Sequence, residues 1–379
     1  MTLLGVRITL LAGPTVPIPV PPTVIQALHE VEITHKDEGH SGFSITFQVG
    51  RSGPQDLVDY ALVANPQLQT FNRVIVVVTF NVMPHVLMDG IIARQELTPG
   101  REPGTSTLTI KGLDVSAMMD REEKSAEHPA QDETLIAMKV VASYARFGMI
   151  PMILPPPVID PPIPIERTPV QRATDLEYLR ALAARHGYVF YVTPGPVPGT
   201  NQAYMGPPIR PGLPQRAITV NMGPETNATI GEARDDALGP TKVEGHVQDR
   251  TTNQTMQVRS IAPTRVPLAS QPGWLVHMSD SRTKRMKTSG MSTTQAMARA
   301  QGTMDATIDS VKVEGELDAG AYGGVLRSRE LVGVRGAGYA YDGLYYVKQV
   351  THRIRQGSYK QRFLLTREGT GSTTPAVIP

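Results

Sequence analysis

Two stretches decide how this chain is read: MDGIIARQELTPGREPGTSTLTIKG at Met88–Gly112 and YDGLYYVKQVTHRIRQGSYKQRFLLTREG at Tyr341–Gly369. Each opens with Asp, Gly and an aliphatic residue: Asp89-Gly90-Ile91 and Asp342-Gly343-Leu344. Fifteen positions after that Asp, each carries Gly before a hydroxyl residue, Gly104-Thr105 and Gly357-Ser358. Each closes on Leu-Thr-x-x-Gly, at Leu108–Gly112 and at Leu365–Gly369, the second copy being four residues longer there. Asp-Gly suits a tight turn, so each copy reads as a turn, a strand, a reversing loop and a returning strand. Any two hairpins share that much. The sharper reading is a duplicated β-domain. In it, residues 1–113 form one copy, and 215–240 with 305–369 form the other. Residues 114–214 are then an inserted helical α+β segment with a proline-rich connector, 241–304 an insertion in the second copy, and 370–379 a flexible tail.

Working outward, the 379 residues allow two to four domains at roughly 100–200 residues each. A hydrophobic share of 40% supplies real cores, and 19% charged residues argue against bulk disorder. The net charge of +2 leaves no global footprint for nucleic acid or an anionic membrane. With no cysteine, disulfides, thiolate zinc sites, iron–sulfur clusters and cysteine nucleophiles are excluded. No run of 18 apolar residues is present, so no membrane-spanning helix is expected. The opening MTLLGVRITLLAGPTVPIPVPP is interrupted by Arg7 and followed at once by prolines; it reads as a strand entering a proline-rich loop rather than as a signal peptide.

The first third has strand character at Val24–Thr34, Gly42–Gly50, Arg73–Val82, Val86–Leu97 and Thr105–Lys111, with the β-branched run RVIVVVTFNV buried on both faces. Asp132 is placed to cap a helix whose face carries Ile136, Val140, Tyr144 and Phe147, with Gly148 as its stop. Ile150–Pro169 is too rich in proline for a helix or an interior strand and reads as an extended, peripheral connector. Thr174 and Glu177 form a capping box for a second helix, followed by a strand at Tyr188–Val192 and a hairpin-like proline/glycine stretch to Pro214. Strands return at Ala217–Asn221, Thr241–Asp249, Met256–Ile261 and within Val311–Thr366, around a weak helix at Thr294–Thr307; Gly369–Pro379 reads as a loose tail. The fold class is therefore α+β, mainly β.

Residues with chemical potential do not form a catalytic pattern. The nine histidines (His29, His35, His40, His85, His128, His186, His246, His277 and His352) include no His-x-x-x-His pair. His29, His35 and His40 lie near Glu30, Glu32, Asp37 and Glu38, but a strand alternates their faces. Asp120-Arg121-Glu122-Glu123-Lys124 with Glu127 reads as a solvated helix end rather than an acid/base pair. Gly333–Gly338 departs from phosphate-loop and dinucleotide spacings and reads as turns. Arg282, Lys284, Arg285 and Lys287 form a basic cluster suited to solvent, an acidic neighbour, or transient contact with passing nucleic acid. Trp274 and the tyrosines of Tyr339–Tyr346 read as core or interface anchors. No catalytic, cofactor-binding or metal-binding residue is assigned, and no cofactor is expected.

PTVIQALHEVEITHKDEGHSGFSITFQVG, LTIKGLDVSAMMDREE, RTPVQRATDLEYLRALAARHGYVFYV and DGLYYVKQVTHRIRQGSYKQRFLL, in that order, resemble the phage tail hub family, often called late control protein D. The family includes the N-terminal part of type VI secretion spike proteins and hubs of extracellular contractile injection systems. The resemblance implies two tube-like β-barrel domains and a homotrimeric ring with a central channel. It implies a structural, non-enzymatic role adapting a six-fold tail tube to a three-fold spike, with tube, spike and other baseplate proteins as partners. The setting it implies is a virion tail baseplate or injection particle assembled in the bacterial cytoplasm, without membrane insertion. Because the chain stops at Pro379, the spike's needle is expected on another polypeptide. The competing readings are a tail-associated peptidoglycan hydrolase, which needs a positioned acid with a nucleophile or metal, and a carbohydrate- or receptor-binding β-protein, which would bind glycans as an isolated chain.

Overall fold

The computed structural model describes residues 2–3, 5–50, 60–102, 104–159, 162–165, 167–210, 212–250, 252–286 and 291–374. Strands of four or more residues and helices of ten or more are numbered below in chain order. The first half of the β structure comprises β1 (Val6–Gly13), β2 (Leu28–Lys36), β3 (Gly42–Val49), β4 (Arg73–Phe80), β5 (Met83–Thr98) and β6 (Ser106–Asp114). After it come β7 (Glu123–Glu127), α1 (Glu133–Ala142), β8 (Met149–Ile153), β9 (Val170–Thr174), α2 (Asp175–Ala184), β10 (Val189–Pro194) and β11 (Asn201–Gly206). The second half opens with β12 (Gln215–Thr219) and β13 (Ala228–Asp235). A second inserted unit holds β14 (Thr241–Gln248), β15 (Thr255–Arg259), β16 (Arg282–Arg285) and α3 (Thr293–Thr307). The chain returns through β17 (Val311–Asp318), β18 (Leu331–Arg335), β19 (Gly343–Arg355) and β20 (Ser358–Arg367).

The large sheet runs β1-β4-β5-β6-β3-β2 and then, without a break, β19-β20-β17-β13, with β18 on the other side of β19 and β12 beside β18. Written from its own start, the second half is ordered β12-β18-β19-β20-β17-β13. Ranked by sequence, its six strands occupy the same places as the six of the first half. One difference is visible: β1 pairs antiparallel with β4, whereas β12 runs parallel to β18. Among the described residues the strands are mainly antiparallel, as expected, and form an open path in which the two tube-like barrels that the resemblance implies are not closed. The reason lies in β2, whose outer edge pairs with β19 of the other half and so makes the two halves one sheet.

Alternating apolar residues explain why the strands stay put. Val31 and Ile33 on β2, Phe43, Ile45 and Phe47 on β3, and Leu108 and Ile110 on β6 point into one core with Val74, Val76 and Val78 of β4. Val313, Val347, Val350, Phe363 and Leu365 do the same in the second half. The first insertion has a separate core of Ile136, Val140, Leu176, Leu179 and Phe190, and the second is built on Val243, Val247, Val258 and Ala300. Asp132 caps α1 and the Thr174/Glu177 box caps α2, as their sequences predict. Among the described residues no helix is long and apolar enough to cross a membrane.

Several expectations need correction. Asp89-Gly90 is not a turn; it lies inside β5, and Asp342-Gly343 marks the entry to β19. Pro22–Gln26 is a helical turn with proline at its start, so the strand expected from Val24 begins at Leu28. The connector opens as an edge strand, β8, paired parallel to β11; Pro151 is tolerated because one edge of β8 has no ladder partner among the described residues. Its Ile159, Ile163 and Ile165 are exposed, in keeping with a peripheral path. The acidic run expected at a helix end includes β7, paired with β9. The tail is tied down at its start: Gly369–Thr370 pairs with Gln271–Pro272, and Thr373 Oγ1 donates to the Leu268 carbonyl (3.1 Å). Residues 375–379 lie outside the described residues. β13 falls where the sequence shows loop-like composition, whereas the hairpin-like stretch to Pro214 folds as β11 against β10.

Candidate functional site

The joint between the halves is the feature with the most mechanical content. β2 and β19 pair antiparallel from Lys36↔Gln349 to Glu30↔Arg355. At its centre Thr34 and Thr351 share a hydroxyl hydrogen bond of 3.0 Å. At one end Glu30 accepts from Arg353 and from Arg355 Nη2 (3.0 Å). Partial burial pushes the Glu30 carboxyl up, but the two guanidiniums outweigh it and hold the group below its usual range. From the centre toward the other end, His352, His35 and Asp37 are buried. His35 and His352 meet edge to face at 5.8 Å, and Tyr359 Oη lies 3.1 Å from His352 Nδ1. Burial holds both imidazoles neutral, with His352 pushed down to about 3. Burial also pushes the Asp37 carboxyl up to about 6, against the pull of Lys348. Arg329, in a left-handed backbone conformation, donates to the Lys36 carbonyl and Ser41 Oγ and lies 3.9 Å over the Tyr191 ring. It thereby ties the joint to the first insertion.

Two further braces fix the insertions to the sheet. Arg73 makes a two-pronged contact with Asp89 (2.7 and 2.6 Å) and donates to the carbonyls of Phe147 and Gly199. Asn201 Nδ2 donates to Asp89 and to Phe147 O, both at 2.9 Å. On the far side Arg210 bridges Asp309 and Glu368, whose Oε1 accepts from the Ala269 amide at 2.7 Å. Asp89 was legible only as part of a repeat; its ion pair requires Arg73, sixteen residues earlier, to sit on the adjacent strand.

The remaining sequence candidates scatter. His29 and His35 are on β2, and His40 lies 3.8 Å from Asp120, so the histidine group is not brought together. Among the described residues no group of three or more His, Cys, Asp or Glu side chains could hold a metal. His128 stacks on Tyr178, His186 pairs with Glu133 (2.6 Å), and His85 meets Arg327 (3.3 Å). His246 sits on β14, and His277 follows the short helix Gly273–Val276. Asp120 accepts from Thr174 Oγ1 (2.6 Å), and Lys124 pairs with Asp175. Gly336 and Gly338 take positive φ in turns. Arg282, Lys284 and Arg285 are exposed on β16, while Lys287 lies outside the described residues. Tyr345 and Tyr346 are core residues, Trp274 is half-buried and Tyr339 is exposed.

With this topology established, known structures can be compared. No family model matches the chain, and no curated protein matches it significantly by sequence. The fold does match. A tail protein from Neisseria meningitidis superposes with a TM-score of 0.64 at 13% identity, over 97% of this chain and 98% of that one. The 43 kDa tail protein of prophage MuSo2 from Shewanella oneidensis gives 0.63 at 13% identity, over 96% and 98%. This chain has a phage tail-protein fold. An Escherichia coli component of the type VI secretion system, described as structurally similar to T4 tail proteins, shares the tail-protein fold at a TM-score of 0.51 and 11% identity, over 93% and 77%. The resemblance read from the four sequence segments therefore stands at the level of fold.

Proposed function

We propose that the chain is a structural hub subunit of a contractile tail or contractile injection machine, and that it assembles rather than catalyses. The observation that carries this reading is the repeated strand order. Read as two units, residues 1–113 and residues 215–240 with 305–369 each hold six strands in the same rank order, the direction of the first strand differing, and the two meet edge to edge within one molecule. Residues 114–214 and 241–304 are the inserted units, which are unlike each other.

A closed ring repeats one interface around its axis. Three chains, each with two similar β units, offer six similar positions to a six-fold tube, while the dissimilar insertions keep three-fold order for a spike. The homotrimer, its tube, spike and baseplate partners, passage of nucleic acid through a channel, and assembly in the bacterial cytoplasm into a tail or injector particle belong to this reading. The tail-protein fold supports it. Native mass spectrometry of the purified chain tests it: three copies are expected, and a strict monomer or a six-copy ring overturns the adapter. Reproducible peptidoglycan turnover abolished by one carboxylate substitution would overturn the non-enzymatic part.

A further inference from the structure

The joint inside the chain is a template for a joint between chains. In the second half, the span Gln349–Arg355 of β19 lies beyond a bulge and is covered by β2. In the first half, the matching span Arg94–Thr98 of β5 lies beyond its own bulge; β6 pairs with one side, and β4 stops at Ile91. Among the described residues no strand covers its other side. The counterpart of β2 is β13, which pairs with β17 and among the described residues has no strand on its outer side. Among the described residues the fold thus leaves one unfilled copy of each partner in the β2–β19 joint.

We propose that β13 of one molecule adds antiparallel to Arg94–Thr98 of β5 in the next copy of this chain. The proposal rests on the ring reading above and specifies how the ring closes. The ladders set the register. Gly112 and Leu365 occupy the same place, each paired with the last residue before its bulge, Ile92 and Val347. Phe43 pairs with Gly112 and Ile33 with Phe43; Val313 pairs with Leu365 and Ala233 with Val313. Ala233 therefore takes the place of Ile33, and Arg94 takes that of Gln349. Transferring Ile33↔His352, Thr34↔Thr351 and Lys36↔Gln349 sets Ala233 opposite Leu97, Arg234 opposite Glu96 and Asp236 opposite Arg94.

That register is complementary without adjustment. Two opposite-charge pairs face each other, and the exposed Leu97 side chain is covered by an alanine. In the isolated chain the same charges sit in solvent-exposed pairs. Arg234 lies 3.3 Å from Glu232 and 3.7 Å from Glu314; Glu96 lies 2.7 Å from Lys111 and 3.3 Å from Arg94. Charged side chains of this kind protect a free edge from indiscriminate pairing and select a partner of matching pattern. The contact is head-to-tail, so its repetition forms a ring if the rotation closes.

The chain has no cysteine, which makes cross-linking clean. The full-length Arg234→Cys/Glu96→Cys variant, treated with a short thiol–thiol cross-linker, is expected to give covalent three-copy species on denaturing gels, and each single-cysteine variant none. Arg234→Glu is expected to move the monomer–trimer midpoint to about tenfold higher protein concentration, and Arg234→Glu/Glu96→Arg to restore it. A trimer that neither cross-links nor responds to charge reversal overturns the edge pairing and leaves the ring reading intact. A chain that stays monomeric at every concentration overturns both. A two- or six-copy covalent product supports the edge pairing and ends the three-copy ring. If the thiol introduced by Arg234→Cys cross-links to a tube or spike protein in place of a second copy, the choice of partner is overturned.

Discussion

The hairpins β5–β6 and β19–β20 hold the same rank in their halves but meet different neighbours. Asp342 opens β19, where its carboxylate accepts from the Ala337 amide at 2.8 Å in a turn. Asp89 sits within β5, 1% exposed, clasped by Arg73 and Asn201. Beyond its bulge β19 is covered by β2, while β5 is open there among the described residues. The packing devices are also exchanged. In the first half Gly112 on β6 faces Phe43 on β3; in the second, Gly315 on β17 faces Phe363 on β20. A common strand order sets where backbones run, and the insertion or half that abuts each strand sets what its side chains do.

The sharpest way to break this contrast is at the braces. Arg73→Ala leaves the Asp89 carboxylate buried without its partner and is expected to lower unfolding free energy by about 3–5 kcal/mol. Arg353→Ala, at the solvent-exposed rim of the joint, should cost only a small fraction of that, because water already screens its pairing with Glu30. Urea titration of both variants checks the pair, and equal losses would erase the distinction between brace and rim.

The exchanged glycines come next. A Cβ on Gly112 would meet Phe43 Cζ at 2.4 Å and the Ile91 carbonyl at 2.2 Å; on Gly315 it would meet Phe363 Cζ at 2.5 Å and the Thr229 carbonyl at 2.4 Å. Gly112→Ala and Gly315→Ala should each destabilise by up to about 3 kcal/mol, since the obstruction includes backbone. A loss at only one site would show that the halves do not share this device.

Acid probes the buried end of the joint. His352 has a folded pKa of about 3, below its unfolded value, so its contribution is present above the unfolded pKa and is lost as pH falls toward 3. Between pH 7 and pH 5 that loss is about 2 kcal/mol. Asp37 has the opposite sign. Its folded pKa of about 6 lies above the unfolded value, so it is more stabilising when protonated and gains about 1 kcal/mol over the same window. Urea midpoints against pH should therefore fall less steeply in His352→Leu and more steeply in Asp37→Asn than in the unsubstituted chain. The smallest expected effect is at the centre: a double-mutant cycle of Thr34→Val and Thr351→Val should return a coupling of about 0.2–1 kcal/mol.

Local features were legible because they depend on neighbours in sequence. The Thr174/Glu177 box, the Asp132 cap and the both-faces-buried run at Arg73–Phe80 follow from spacing alone. The repeat pointed to the right pair of hairpins, yet Asp89-Gly90 looked like a turn because a buried Asp in mid-strand is sensible only beside Arg73. The hairpin-like stretch after Val192 does fold back as β11 on β10; β13 was missed because polar residues and glycine dominate it and its partner β17 follows only after the second inserted unit. The charge run at Asp120–Lys124 with Glu127 looked like a solvated helix end, and pairing with β9 decided in favour of a strand at Glu123–Glu127.

By itself, then, the sequence determined the mainly β class, the caps, the apolar faces and the duplicated hairpin, since period, turn chemistry and capping act over a few residues. Only the tertiary structure decided that the halves fuse through β2 and β19 into an open sheet, that Asp89 braces an insertion, and that β13 and the end of β5 remain as edges among the described residues. Those outcomes depend on which backbone edges meet across long separations in the chain, more than about 300 positions between β2 and β19, and main-chain hydrogen-bonding groups are identical in every strand. Pattern along the chain states that an edge exists; the fold selects its occupant.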